Sequence, residues 1–524
     1  MNSLFQRLLD FYHIDEATYR YMNREIDPSI FTIRKFDKTD EAVVFLKKHI
    51  EKKSKILIYG DYDTDGICSA SIILKMLMYV DYIADVFIPS RYLDGYGINL
   101  ENAKKIVEQK YDLVICVDNG VAANEAIDYL RENNIDVLVL DHHEIPEVLP
   151  NANYILHPTL SHYGEIASSA GFVTFIFSIN FLNRFDEYLS VLAALSLVSD
   201  MMPLIDYNRD LLRYVLTNYK VGRFLPIDLL NNNETLNEEK IGLAIAPKIN
   251  SIGRVIEDRE GPNLVRFLTS EDKKFVLNYI YFINETNEQR KTILKDFSGD
   301  IKKDNDYCVC EIANTKEGII GLIANKMMNE YALPSIIFTK DEHKGILKGS
   351  ARAPLGFNMF DAMTALGKYF LTFGGHAQAG GCSLEIDQFP HFKKEFIKYC
   401  EHHKFVPIPK EYFELYLSDL NFDNYELIRT FGPFGEGWKK PSFLIKNIRV
   451  SALNFSKDEN HITTNIGVNS KIVGFYMHKS LVTLYDRIDI EGFLRTSQYK
   501  GRVSLDFVIE KYSKSKIWFY FWWK

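Results

Sequence analysis

A chain of 524 residues is longer than one hydrophobic core usually serves, so two to four domains are expected. Its composition, 47% hydrophobic with 14% aromatic and 25% charged residues, is that of a globular protein, and no apolar run is long enough to span a bilayer. A net charge of −8 excludes a uniformly basic nucleic-acid-binding protein, yet it hides an asymmetry. From Gly437 to Lys524 there are fifteen Lys/Arg against seven Asp/Glu, a net of +8, which leaves −16 on the rest of the chain. A basic C-terminal module beside an acidic core suits a polyanion held at one end and processed at the other. By charge alone, scatter over a solvated surface is an equally good explanation.

The chain opens on Met1-Asn2-Ser3-Leu4-Phe5-Gln6-Arg7, which leads into a charged helical pattern rather than an apolar secretory segment. Residues 1–50 read as a helical lead-in, with apolar spacing at Phe5, Leu8, Leu9 and Tyr12 and again over Ala42–Leu46. Residues 51–210 alternate strand and helix as a doubly wound parallel sheet does. Residues 211–304 read as mainly helical, with a polar turn at Ala246–Arg254. A charged helix through Asn284–Lys291 lacks a wide apolar stripe after Ile283, which suits a solvent-bridging connector. A second, smaller α/β unit spans 305–405, with strands at Tyr307–Ile312 and Ser335–Phe338 and a helix at Ile319–Tyr331. It carries Gly318-Ile319-Ile320-Gly321, Lys348-Gly349-Ser350-Ala351-Arg352 and Phe373-Gly374-Gly375-His376.

Residues 406–524 contain a Gly/Pro-rich loop, Phe431–Gly437, followed by β-type runs at Phe443–Val450, Lys471–Met477, Ile488–Leu494 and Val503–Ile509. Four or five strands in so short a stretch indicate a small closed barrel, an OB-like β-barrel that can bind a single strand. The aromatic end Ile517–Lys524 is too short to cross a membrane and reads best as packing on the barrel. Six cysteines (Cys68, Cys116, Cys308, Cys310, Cys382, Cys400) show no CxxC spacing, so buried thiols in a reducing cytoplasm are expected. Cys308 and Cys310 flank Val309 at strand spacing and should share one buried face.

The chemistry concentrates where three apolar runs end. Ile56–Gly60 runs into Asp61-Tyr62-Asp63-Thr64-Asp65-Gly66, Val114–Val117 into Asp118-Asn119-Gly120, and Val137–Leu140 into Asp141-His142-His143. Ligands gather outside the carboxyl ends of parallel strands, so these acids and imidazoles should meet at one sheet edge. One aspartate after a strand is ordinarily a turn residue or helix cap. Three clusters together repel one another and call for more than one divalent cation. Asp63 and Asp65, at i and i+2, can face one side of an extended loop. Asp118 is placed to bridge two cations, His142 adds a nitrogen that suits Mn²⁺, and Asp200 closes the set from the end of the apolar helix Val191–Asp200. His143, directed elsewhere, can act on a leaving group or polarise a phosphate.

These four segments, with Leu197-Val198-Ser199-Asp200 as the last, resemble the motifs of the DHH phosphoesterase family. Arg91 followed by Gly95-Tyr96-Gly97, Ala246-Pro247 with Asn250 and Gly253-Arg254, and the three motifs of the second α/β unit narrow the likeness. It is to the family's single-strand-specific 5′→3′ DNA exonucleases, over roughly residues 50–510. The resemblance implies a DHH catalytic domain, a DHH-associated domain and an OB-fold. It implies Mn²⁺ or Mg²⁺, two ions, held by Asp63, Asp65, Asp118, His142 and Asp200, with Asp61 and His143 as catalytic neighbours. It further implies a pocket for a terminal 5′-phosphate and strand formed by Arg91, Asn250, Arg254, Ser350, Arg352 and His376, and guanidiniums and a hydroxyl do suit a dianionic end group. Single-stranded DNA is the partner it implies, with a helicase and a single-strand-binding protein as further candidates and no membrane.

The chain departs from the family pattern at Asn314-Thr315-Lys316-Glu317, which lacks a histidine, and at Ala170-Gly171-Phe172, a loose match to a glycine-rich segment. A further C-terminal domain is expected to be absent. Two other functions compete: a phosphodiesterase for short oligonucleotides or cyclic dinucleotides, and a catalytically silent nucleic-acid scaffold. A barrel from about residue 437 disfavours the first, and the complete acid and histidine set disfavours the second.

Overall fold

A computed structural model describes residues 3–33, 35–161, 167–341, 345–406, 410–499 and 501–515, with backbone alone at Asp300 and Tyr499. The chain divides into two compact units, Ile26–Ile408 and a second made of Met1–Glu25 with Pro409–Lys524. The expected lead-in is therefore two pieces. The aromatic end Ile517–Lys524 lies outside the described residues. Among those residues no helix is long and apolar enough to cross a membrane.

In the larger unit the first sheet consists of β1 (Ile56–Tyr59), β2 (Asp85–Phe87), β3 (Leu113–Val117), β4 (Asp136–Leu140) and β5 (Tyr154–Leu156). All pair in parallel, in the order β2-β1-β3-β4-β5. Alternate residues of its strands enter two separate cores. Ile56, Ile58, Ile115 and Leu138 face one, and Leu57, Tyr59, Val114, Cys116 and Val139 face the other. Burial on both faces is why these strands read as continuous apolar runs. The chain reverses direction across the sheet between β1 and β3, and the acid clusters follow the ends of β1, β3 and β4.

The second sheet holds β6 (Val309–Ile312), β7 (Ser335–Asp341), β8 (Ile346–Arg352), β9 (Thr372–Gly375) and β10 (Ala379–Glu385), in the order β6-β7-β8-β10-β9. Only β6 and β7 pair in parallel. Cys308 and Cys310 share one buried face and Val309 enters the core on the other. All six cysteines are free and buried.

Two segments between the sheets differ from expectation. Ala246–Val255 is an α-helix, not a polar turn, continuing from a π-helical turn at Ile241–Ile245. Ile245, Ile249 and Ile252 recur at helical spacing and bury in the first core, and Pro247 falls in the first turn, where a missing N–H is tolerated. The connector helix runs Lys273–Asp300 and regains apolar contacts after Ile283. Val276, Ile280 and Ile283 pack in the first core, while Ile293, Leu294 and Phe297 pack beneath the second sheet.

The other unit carries a mixed sheet of β11 (Tyr412–Glu414), β12 (Ser442–Arg449), β13 (Ile462–Asn465), β14 (Ser470–Gly474), β15 (Arg487–Tyr499) and β16 (Arg502–Lys514). Its order is β11-β12-β15-β16-β14-β13. The hydrogen-bonded ladder stops at β11 and β13 rather than closing. The sheet nonetheless curls, because Leu415, Ile445, Ile448, Thr464, Ile466 and Ile472 line one groove. The helix Leu4–Phe11 fills its core with Leu4, Leu8 and Leu9, and Tyr12 stacks on Trp438 with ring centroids 4.5 Å apart. Arg7 donates to Asp419 at 2.6 Å and to the Glu414 carbonyl at 2.8 Å.

Candidate metal centre and anion pocket

The loop after β1 does not stay extended. Asp63 caps the helix Thr64–Met78, its Oδ1 accepting from the N–H groups of Asp65 and Gly66 at 3.0 and 3.1 Å. Asp65 therefore sits in the first helical turn. A Cβ on Gly66 would lie 2.4 Å from the Asp61 carbonyl oxygen, so only glycine permits this turn. Asp65 is enclosed by donors. Its Oδ1 accepts from Gly171 N–H at 2.8 Å and the Ser196 hydroxyl at 2.6 Å, and its Oδ2 from Ala170 N–H at 2.9 Å. Neither Gly171 nor Ser196 was expected to matter. Ala170-Gly171-Phe172, the loosely matched segment, opens the helix Ala170–Leu182 and turns its free N–H groups on this carboxylate.

Asp118 adopts a left-handed backbone, φ 60°, which aspartate tolerates better than most residues. His142 Nε2 lies 3.2 Å from Asp118 Oδ1, 3.5 Å from Asp200 Oδ2 and 3.6 Å from Asp65 Oδ2. Asp200 reaches this point as the residue capping the apolar helix Glu187–Ser199. Among the described residues three sets of side chains have ligand atoms within 4.8 Å of one another: Asp61–Asp63–Asp118, Asp65–His142–Asp200 and Asp118–His142–His143. Asp118 belongs to two of them. Asp61, expected close to the ligands as a catalytic group, lies within ligand distance of Asp63 and Asp118.

The acids in this cluster outnumber the cations around them. Asp61 Oδ1 and Asp118 Oδ1 are buried without a hydrogen-bond donor. Burial, then neighbouring acids, pushes both carboxyls well above the ordinary carboxylate range. Burial and then the charges of Asp65 and Asp63 lift Asp200 to about 8. Divalent cations are the complement to such a set, and oxygen ligands with one imidazole fit Mn²⁺ or Mg²⁺.

His143 lies at the edge of this cluster, its Nδ1 3.9 Å from Asp118 Oδ1. Its Nδ1 pairs with Asp141 Oδ1 at 2.8 Å and its Nε2 with the Tyr96 hydroxyl at 2.6 Å. Burial alone would lower the pKa of the ring, but the hydrogen bond and charge of Asp141, with Asp200 and Asp65, outweigh it and raise it to about 9. Burial would raise Asp141, yet the His143 bond and the Val121 N–H pull it down to about 2. Tyr96 belongs to the Gly95-Tyr96-Gly97 run, whose spacing did not disclose this contact.

Beside the acids lies a cavity of about 590 Å³ whose lining includes Arg91, Arg254, Gly321, Lys348, Ser350 and Arg352, with Glu317 as its carboxylate. Among the described residues none of the three guanidiniums is ion-paired with a carboxylate, whereas Lys348 is paired with Glu317 at 2.7 Å. Burial and then the nearby Arg91 charge lower the Arg254 pKa to about 10. Arg254 donates to the Gly318 carbonyl at 3.0 Å, and Arg352 donates to Ser350 Oγ at 3.1 Å. A Cβ on Gly321 would stand 3.1 Å from Ser350 Oγ and 3.2 Å from the Arg352 guanidinium, so the glycine keeps these donors open. Asn250 and His376, expected to contact the strand, do not line this cavity. Asn250 Oδ1 instead accepts from the backbone N–H and hydroxyl of Thr64 at 2.8 and 3.0 Å, holding the acid loop. His376 is exposed, with Nδ1 3.5 Å from Glu144 Oε1.

Residues 55–198 match the DHH family N-terminal domain and residues 304–402 the DHHA1 domain. Residues 413–511 match the RecJ OB domain. A parallel sheet whose strand ends gather aspartates and histidines, followed by these two modules, gives the chain the domain set of a DHH-family protein with a RecJ OB domain. The single-stranded-DNA-specific exonuclease RecJ of Bacillus subtilis is 28% identical over 494 residues, covering 88% of this chain and 62% of its own length. The protein of that name from Haemophilus influenzae is 28% identical over 448 residues, covering 77% of each chain. This chain thus spans less than two thirds of the Bacillus subtilis relative. The crystal structure of RecJ from Thermus thermophilus in complex with Mn²⁺ has the same fold, with a TM-score of 0.81 at 19% identity over 98% of this chain and 78% of that one.

Proposed function

We propose that this chain is a metal-dependent 5′→3′ exonuclease that hydrolyses phosphodiester bonds of single-stranded DNA in recombination and repair. The observation that carries this reading is the pairing of a crowded acid cluster, two of whose buried oxygens lack a hydrogen-bond donor, with a cavity whose three guanidiniums are not ion-paired with a carboxylate among the described residues. Asp61, Asp63, Asp65, Asp118, His142 and Asp200 would hold two Mn²⁺ or Mg²⁺ ions, with Asp118 shared between them. When bound, such a pair supplies a clamp on the attacking and leaving oxygens and a water of lowered pKa.

The chain's own residues do the rest. Arg91, Arg254, Arg352 and Ser350 hold the terminal 5′-phosphate, which carries more charge than an internal diester. Anchoring the end at a fixed distance from the acids selects the attacked bond by geometry and makes the enzyme an exonuclease. His143, held at Nδ1 by Asp141, presents Nε2 beside the Tyr96 hydroxyl, where it can offer a proton to a phosphate oxygen or the leaving oxygen. The strand remaining after each cut again ends in a 5′-phosphate, so the same pocket serves the next round.

A phosphodiesterase for short oligonucleotides or cyclic dinucleotides is the second reading, since the catalytic parts alone would serve it. The RecJ OB domain favours the longer strand, because a dinucleotide needs no second grip. A helicase and a single-strand-binding protein as partners, and a cytoplasmic setting, belong with the first reading. Six free buried thiols agree with a reducing compartment. Digestion of a 3′-labelled single strand in Mn²⁺ tests the function. Stepwise shortening from the 5′ end is expected; internal fragments, or cleavage confined to dinucleotides, would reject it.

A further inference from the structure

The anion pocket draws its arginines from separate parts of the chain, and one phenol joins those parts. Tyr92 OH donates to the Arg254 carbonyl at 2.5 Å and accepts from Gly318 N–H at 3.3 Å. Gly318 is the second residue of the helix Glu317–Tyr331 of the second α/β unit, and its carbonyl accepts from the Arg254 guanidinium. Arg254 is therefore fixed at both ends, its carbonyl by Tyr92 and its side chain by Gly318. The fit has no slack: a Cβ on Gly318 would lie 2.4 Å from the Arg254 carbonyl oxygen.

The neighbouring residue of Tyr92 extends the connection to the acids. Arg91 lies over the Tyr62 ring, 4.2 Å from its centroid, and Tyr62 separates Asp61 from Asp63. Gly253, next to Arg254, presses on the same residue, since a Cβ there would stand 2.9 Å from the Tyr62 carbonyl oxygen. Around this joint Ser90 donates to the Glu257 carbonyl, Arg259 holds Asp94 through two bonds at 2.8 and 2.7 Å, and Lys316 donates to the Val255 carbonyl at 2.9 Å. These outer contacts tie the same three segments, but Tyr92 alone among them touches the backbone of Arg254 itself.

We propose that Tyr92 is a positioning residue for the terminal phosphate: its hydroxyl sets Arg254 and the start of the Glu317–Tyr331 helix at a fixed offset from the acid cluster, so that the enzyme registers the strand by its 5′ end. This inference rests on the reading of the arginine cavity as a 5′-phosphate pocket. Tyr92 does not reach the cavity lining, so its effect passes through Arg254. Burial holds its hydroxyl up to about 12, so it remains a donor over the whole working pH range.

The test is Tyr92→Phe, which keeps the ring and removes the joint. Rates are measured in Mn²⁺ on 5′-phosphorylated and 5′-hydroxyl single strands, with the thermal midpoint recorded alongside. The preference for the phosphorylated strand, as the ratio of kcat/KM values, should fall by roughly tenfold, the loss expected when a buried hydrogen bond is left without a partner. The fall should appear in KM for the phosphorylated strand, with the 5′-hydroxyl strand nearly unaffected. In an Arg352→Ala background Tyr92→Phe should move the ratio much less, because both act on one pocket. A variant that keeps the wild-type ratio, or loses both substrates equally, would overturn the inference while leaving the pocket in place. A wild-type enzyme with no preference would overturn the pocket reading and this inference with it.

Discussion

The Arg91 guanidinium lies over the Tyr62 ring, 4.2 Å from charge to centroid. Tyr62 is flanked by Asp61 and Asp63, so one side chain of the acid loop carries a cation of the anion pocket. A cation over an aromatic face is attracted without neutralising it, which leaves Arg91 free to meet a phosphate. The two halves of the site are thus mechanically one.

Removing the shared acid should stop hydrolysis. Asp118→Asn should lower turnover in Mn²⁺ by well over about a hundredfold, since even outer partners of metal ligands are worth ten- to a hundredfold. Strand binding should persist, because no basic contact is lost. In metal-free protein the same change should raise the thermal midpoint, since it removes a carboxyl whose ionisation burial and the neighbouring acids oppose. Near-normal turnover would reject the shared-ligand arrangement.

Metal-free protein should lose stability as pH rises. Asp200 has a folded pKa of about 8, above its unfolded value near 4, so the folded state holds the extra proton between those pH values and stability falls through that window. His143, at about 9 in the fold, contributes stability that is complete below about 6.5 and lost as pH passes 9. Both effects have the same sign above neutrality. Melting curves from pH 5 to 9 should fall steeply in a chelator and flatten in Mn²⁺, where the carboxylates gain a counter-charge; equal slopes would contradict the cluster as a cation site.

Arg352→Ala should cost roughly ten- to a hundredfold on 5′-phosphorylated strands and far less on 5′-hydroxyl strands, the range for hydrogen bonds to a charged group. Side-by-side rates on the two substrates decide it. An equal loss on both would assign Arg352 to general strand holding or to the fold.

Gly171→Ala should damage the site from behind. The added Cβ would meet Ser196 Oγ at 2.3 Å, displacing a donor to Asp65. A destabilisation of about 1–3 kcal/mol is expected from overpacking, together with a weaker Mn²⁺ affinity. Denaturant titration and metal-binding calorimetry measure the two separately, and unchanged Mn²⁺ affinity would remove Asp65 from the ligand set.

The grip on long strands should reside in the smaller unit. A chain of residues 26–408 should still cleave very short substrates but bind long strands weakly, with a flatter salt dependence because fewer counterions are released. Truncating after residue 408 without removing 1–25 would expose Leu4, Leu8 and Leu9, which pack in the other unit. Unchanged long-strand affinity would place the grip elsewhere.

The parts of this protein legible in its sequence are those with short-range causes. Burial on both faces made Ile56–Tyr59, Leu113–Val117 and Asp136–Leu140 continuous apolar runs, so their ends and the acids on them were visible, as was the paired face of Cys308 and Cys310. Where polar residues masked the period, as in Ala246–Val255, a helix read as a turn. Short strands such as Tyr412–Glu414 and Ile462–Asn465 carried too little pattern to be seen.

Sequence by itself determined which acids, imidazoles and guanidiniums the chain possesses and which strands deliver the acids to one edge. Tertiary structure alone decided their employment. It set Asp61 among the acids, committed Asn250 to Thr64, left His376 outside the arginine cavity, and brought Gly171 and Ser196 onto Asp65. It also assigned the first helix to the C-terminal sheet. The reason is that a residue's type and local period are written in neighbouring positions, whereas a hydrogen-bond partner a hundred residues away is fixed only when the cores close and each buried polar atom must be satisfied.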